Sequence, residues 1–97
     1  EISIDEADIQ VLDDYVGAGY GESQAEELHF IAHVAKSEGI VLDPTYTGKA
    51  FYGLVQEIQK GRFKKGQDVL FIHTGGIFGL MAAASKFAEA NVLSNIL

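Results

Sequence analysis

The chain has no cysteine, no tryptophan and a single proline, Pro44. Without cysteine there is no disulfide framework and no thiolate metal site. Basic residues are scarce: seven Lys and Arg stand against fourteen Asp and Glu, for a net charge of -7. That balance argues against nucleic acid and anionic membranes as partners, because both select basic patches. No apolar run approaches the roughly 18 residues of a membrane span. No secretory signal pattern is visible either, so a cytoplasmic setting is the expectation. The chain opens on Glu1 rather than Met, which suggests a processed or excised piece.

What is present can build a core. The 97 residues are 47% hydrophobic and include six Phe and four Tyr. Residues 1–97 read as one unit with no internal boundary, and burial in so short a chain is modest. Residues 1–14 are acidic, with Ile2, Ile4, Ile9 and Val11 spaced for short strand pieces. Tyr15 to Gly21 is a glycine-rich loop. Ser23 is placed to cap a helix, with Glu26 in capping-box spacing. Leu28, Ile31, Ala32 and Ala35 carry helical period, and Gly39 ends it. Ile40 to Leu42 is a short strand, stopped by Asp43-Pro44. A second helix opens at Thr47 or Gly48, with Phe51, Leu54, Val55 and Ile58 as its buried face, and Gly61 stops it. A third helix is expected from about Ile77 to Ala90, on Leu80, Met81, Ala84, Phe87 and Ala88.

Between the last two helices lies the most pointed stretch, Val69-Leu70-Phe71-Ile72-His73-Thr74-Gly75-Gly76. An apolar strand runs into two glycines at the start of a helix. Strand carboxyl ends and helix amino ends converge on open backbone N–H groups, which is where cofactors sit in α/β sheets. Gly75 and Gly76 permit close approach of a ligand to the backbone. Thr74 adds a hydroxyl at the same rim, and it serves equally well as a helix cap. The element order predicts an α/β fold with parallel strands and flanking helices. Two strands leave open edges, so the sheet is expected to be completed from elsewhere.

Three words now stand in order: Tyr-Val-Gly-Ala-Gly-Tyr-Gly at 15–21, Glu-Gly-Ile-Val-Leu-Asp-Pro-Thr-Tyr-Thr-Gly-Lys-Ala at 38–50, and Val-Leu-Phe-Ile-His-Thr-Gly-Gly at 69–76. Together they resemble the C-terminal part of the D-cysteine desulfhydrase and 1-aminocyclopropane-1-carboxylate deaminase family. The resemblance implies pyridoxal 5'-phosphate as cofactor. It also implies a tryptophan synthase β-like architecture, fold type II, that is incomplete without its N-terminal part. The implied partners are that N-terminal part, a small amino-acid substrate, and a second copy in a homodimer of the complete enzyme. Tyr20 falls where the family places an active-site tyrosine. Tyr46 matches the tyrosine that in relatives lies beside the cofactor ring and substrate. Thr47 stands at a position that is glutamate in the deaminases. Thr74 stands where the deaminases have leucine and the desulfhydrase-like members threonine. The resemblance thus assigns Tyr46 and Tyr20 to catalysis and Thr74, Gly75, Gly76 and Thr47 to the cofactor.

The implied reaction is β-elimination from a D-amino acid, taking D-cysteine to pyruvate, sulfide and ammonia. Deamination of 1-aminocyclopropane-1-carboxylate is the alternative, and an excised or engineered α/β fragment without activity is another. The family's cofactor-bonded lysine and phosphate loop fall outside this chain, and Lys49 stands at a different motif position. The isolated chain is therefore expected to be inactive. No metal site is expected: His29 and His33 share a helix face but lack the glutamate and third ligand of a zinc helix. His73 reads as a satisfied core histidine, Lys49 as exposed or paired with a carboxylate, and Asp43 as a support of the Tyr46 loop.

Overall fold

A computed structural model describes residues 1–19 and 23–92. Among the described residues four helices are complete: α1, Ala25–Glu38; α2, Thr47–Gln59; α3, Ile77–Ala82; and α4, Ala84–Glu89. A 3-10 turn at Glu6–Asp8 precedes them. Helix α1 packs against α2 and α4. Leu28, Ile31 and Val34 of α1 meet Leu42, Ala83, Phe87 and Val92 in one buried cluster. An aromatic row extends it. Tyr15 meets Tyr52 edge-on, Tyr52 meets Phe30, Phe30 meets Phe51, and Phe51 meets Phe71 at 4.9 Å between centroids. The row ties the loop before α1, the two long helices and the 69–73 segment together.

Several expectations hold in detail. Gly39 ends α1 in the left-handed conformation with φ 69°, donating its N–H to Ala35 O. Helix α2 opens at Thr47. Others are corrected. Among the described residues no strand forms, so the expected parallel pairing is absent. An isolated pair of short strands is marginal, and here the 40–42 and 69–73 segments meet through a side chain instead. His73 Nε2 donates to Val41 O at 2.7 Å. The 1–14 stretch also makes no strand. Its isoleucines are exposed, and Asp5 and Asp8 close the 3-10 turn, with Asp5 N donating to Asp8 Oδ2 at 2.8 Å.

Ser23 does not cap α1. Gln24 holds that position without a side-chain bond, and Ser23 Oγ donates to Pro44 O at 3.1 Å. The expected third helix is interrupted at Ala83, giving α3 and α4. The buried residues of α2 are Thr47, Gly48, Lys49, Gly53 and Glu57 rather than its apolar stripe. Residues 10–19 lie along that polar face, and main-chain carbonyls satisfy Lys49 there. Phe51, Leu54 and Val55 are only half-buried, and Ile58 is exposed.

The radius of gyration is 15.1 Å, against about 12.5 Å for a compact globule of this length. Leu70 is 87% exposed and Phe78 82%, beside exposed Ile72, Ile77 and Met81. No helix among the described residues is long and apolar enough to cross a membrane.

Candidate cofactor site

The Asp43–Thr47 turn organises the site. Asp43 is 1% exposed. Its Oδ2 accepts from Thr45 N and Tyr46 N, both at 2.8 Å. Its Oδ1 accepts from Thr47 N at 2.8 Å and from Thr47 Oγ1 at 2.7 Å. In return Thr47 Oγ1 accepts from Asp43 N at 2.9 Å. Burial alone would raise the Asp43 pKa, but the bonds from Thr47, Tyr46 and Thr45 outweigh it and hold the carboxyl below its ordinary value. The carboxylate therefore stays charged and keeps three successive amides converged at the start of α2.

The same carboxylate fixes the glycine turn. A Cβ on Gly76 would lie 2.3 Å from Asp43 Oδ1, so only a glycine lets the two come together. Gly75 and Gly76 have φ of 107° and 108°, where glycine is favoured on conformational grounds as well. The turn is also held from its other side. Gly75 N donates to His73 Nδ1 at 3.0 Å, while His73 Nε2 donates to Val41 O. Both ring nitrogens are engaged, which fixes the neutral tautomer with its proton on Nε2. His73 is thus satisfied, as expected, but at the surface rather than in the core.

A cavity of about 770 Å³ opens between residues 10–19, the start of α2 and the 71–74 segment. Tyr46, Thr47 and Thr74 all border it. Tyr46 is 59% exposed, and Thr74, Gly75 and Gly76 are exposed beside it. Thr47 is buried, with its hydroxyl turned to Asp43 and 3.5 Å from Gly75 O. Three of the six expected site residues, Tyr46, Thr47 and Thr74, therefore line one cleft, and Gly75 and Gly76 follow Thr74 in the chain. Tyr20, the sixth, lies outside the described residues. Among the described residues no group of three or more His, Asp or Glu is placed to hold a metal ion.

The cleft suits a flat, polar-edged aromatic ring. Phe71, Ile72 and Leu54 offer apolar walls, Thr74 and Tyr46 offer hydroxyls, and nothing lies within 4 Å of a Cβ built on Gly75. Lys49 borders the cleft too, but its Nζ is engaged with Val16 O and Gly19 O. Sequence reading missed Lys49 as a buried group. No local signal marks it, because the carbonyls that hold it come from residues 16 and 19, some thirty positions earlier in the chain.

Comparison with known proteins identifies the family. A family model described as pyridoxal-phosphate dependent enzyme matches residues 1–75. The chain is 43% identical over 87 residues to the bifunctional D-cysteine desulfhydrase/1-aminocyclopropane-1-carboxylate deaminase of Arabidopsis thaliana, covering 89% of this chain and 22% of that one. It is 47% identical over 76 residues to the D-cysteine desulfhydrase of Klebsiella pneumoniae, covering 78% and 23%. A Thermotoga maritima protein, provisionally assigned as a 1-aminocyclopropane-1-carboxylate deaminase, is 42% identical over 85 residues, covering 88% and 26%. The chain thus spans about a quarter of the length of these relatives. No solved structure matches it. A match to the family over residues 1–75, carrying both the Tyr46 turn and the Thr74-Gly75 rim, places this chain among the pyridoxal-phosphate-dependent enzymes.

Proposed function

We propose that this chain forms one wall of the cofactor cleft in a fold type II lyase of desulfhydrase type. The complete enzyme would convert D-cysteine and water to pyruvate, sulfide and ammonia. The observation that carries the reading is the convergence of Tyr46 and Thr74 on one cleft, held by the buried Asp43 carboxylate. Pyridoxal phosphate, when bound, withdraws electrons from the substrate Cα and so acidifies its proton.

The chain's own residues orient and shield. Thr74 presents its hydroxyl to the ring nitrogen. A hydroxyl hydrogen-bonds that nitrogen without fixing a proton on it, unlike a carboxylate, and β-elimination of a thiol needs no stronger electron sink. Tyr46 places a phenol at the substrate side, where its Oη holds or moves a proton. Gly75 and Gly76 bring the backbone close to the ring. Thr47 supports the wall through Asp43, since its hydroxyl proton is already committed. Tyr20 joins Tyr46 at the substrate side. The exposed Leu70, Ile72 and Phe78 receive the remainder of the enzyme, which supplies the lysine and the phosphate loop.

Deamination of 1-aminocyclopropane-1-carboxylate is the second reading, and the name of the Arabidopsis relative favours keeping it. Supplying the complete enzyme with each substrate separates the two. Sulfide and pyruvate from D-cysteine, with no 2-oxobutanoate from the cyclopropane, is the expected result. The reverse outcome would replace the first reading by the second.

A further inference from the structure

Helix α2 buries two charged side chains on the face that carries Gly53: Lys49, 9% exposed, and Glu57 one turn beyond Gly53. Glu57 pairs with Arg62 at 3.9 Å. Lys49 has no such carboxylate partner among the described residues. Its Nζ donates to the carbonyls of Val16, at 2.8 Å, and Gly19, at 3.1 Å. A buried carboxylate beside the same strap is Glu27 of α1, 6% exposed, whose Oε2 has no hydrogen-bond partner among the described residues. Glu27 Oε1 and Lys49 Nζ each lie 3.6 Å from the position of a Cβ on Gly17. The ammonium and the carboxylate therefore sit over the same glycine, which has φ 69°. One turn along α2, the Tyr15 ring lies against Gly53, where a Cβ would be 2.9 Å from it.

From this we infer that Lys49 is a positioning residue. Its ammonium clamps the Tyr15–Gly19 strap onto α2 and so sets the strap side of the cleft, with Glu27 as the buried counter-charge. The physical basis is direct. A buried ammonium forms strong charge-assisted bonds, and here one ammonium holds the carbonyls of Val16 and Gly19, on either side of left-handed Gly17, to a single point. Tyr15, Val16 and Gly19 line the cleft, as do Lys49 and Thr74, so the clamp fixes where the strap runs along it.

Chymotrypsin tests this without reference to activity or cofactor, so its outcome is independent of the lyase reading. Cleavage after Tyr15 in Lys49→Met and Lys49→Ala should be at least tenfold faster than in the native protein. Cleavage after Phe30 and Phe51, in the packed helices, should be unchanged. Propylammonium, the fragment removed in Lys49→Ala, should slow cleavage after Tyr15 again, whereas sodium chloride at equal ionic strength should not. An unchanged rate after Tyr15, or no difference between propylammonium and sodium, overturns the inference. If the variants unfold and cleave everywhere, amine labelling of the native protein decides. Lys49 should react at least tenfold more slowly than Lys64 and Lys65, which are exposed, and equal reactivity overturns the clamp.

Discussion

Asp43→Asn is the sharpest perturbation of the site, because it keeps shape and removes one acceptor oxygen and the charge. Two placements of the new amide are available. If its nitrogen replaces Oδ2, it faces the N–H groups of Thr45 and Tyr46, and two part-buried donors lose their acceptor. If it replaces Oδ1, Thr47 N loses its acceptor, while the Thr47 hydroxyl can turn to Gly75 O, now 3.5 Å away. The second placement strands one donor rather than two and should prevail. A stranded buried donor costs about 1–3 kcal/mol, and bonds to a charged acceptor are worth more than neutral ones, so the loss should be about 2–4 kcal/mol. Urea unfolding of the native and variant proteins measures it. The pH dependence provides a second check. The folded pKa lies below the ordinary 3.8, so this stabilisation is fully present above that value and fades as pH falls through the folded value. The gap between native and variant should therefore be constant from pH 5 to 7 and close in strong acid. A loss below about 0.5 kcal/mol at pH 7, within the range of an ordinary surface substitution, would refute the reasoning.

The glycine pair separates strain from collision. Gly75→Ala meets open space and should lose only the cost of a left-handed residue, about 1–2 kcal/mol. Gly76→Ala drives a methyl into Asp43 and should lose more than twice as much by the same urea assay. Thr47→Val leaves Asp43 N without its acceptor and should cost about 1–3 kcal/mol, while Thr47→Ser should cost less than half of that. Equal losses for valine and serine would show that the methyl, not the hydroxyl, matters at that position.

How far the sequence could be read differs from element to element. The ends of α1 and α2 were legible because Gly39 and the Asp-Pro-Thr-Tyr-Thr turn act locally, through one left-handed residue and one short side chain. Tyr46 and Thr74 were singled out by their motif words, and the fold brings both to one cleft. The strands were not, since an apolar run such as 69–72 states a preference for pairing and says nothing of where the partner lies. The burial of Lys49 was hidden for a related reason. A lysine in a first helical turn reads as solvated, and only the fold brings the carbonyls of Val16 and Gly19 to it. The helical period at 77–90 was visible, but it did not reveal the interruption at buried Ala83.

The affinity of the complete enzyme for pyridoxal 5'-phosphate, before and after Thr74→Val, tests the central claim most directly. Valine keeps the volume and removes the hydroxyl at the cleft rim. Loss of one hydrogen bond of about 0.5–1.5 kcal/mol should weaken the cofactor roughly 2- to 13-fold in Kd, with unfolding stability unchanged. An unchanged Kd in a folded variant would remove Thr74 from the cofactor, and failure of the native enzyme to bind the cofactor at all would contradict the account of the cleft.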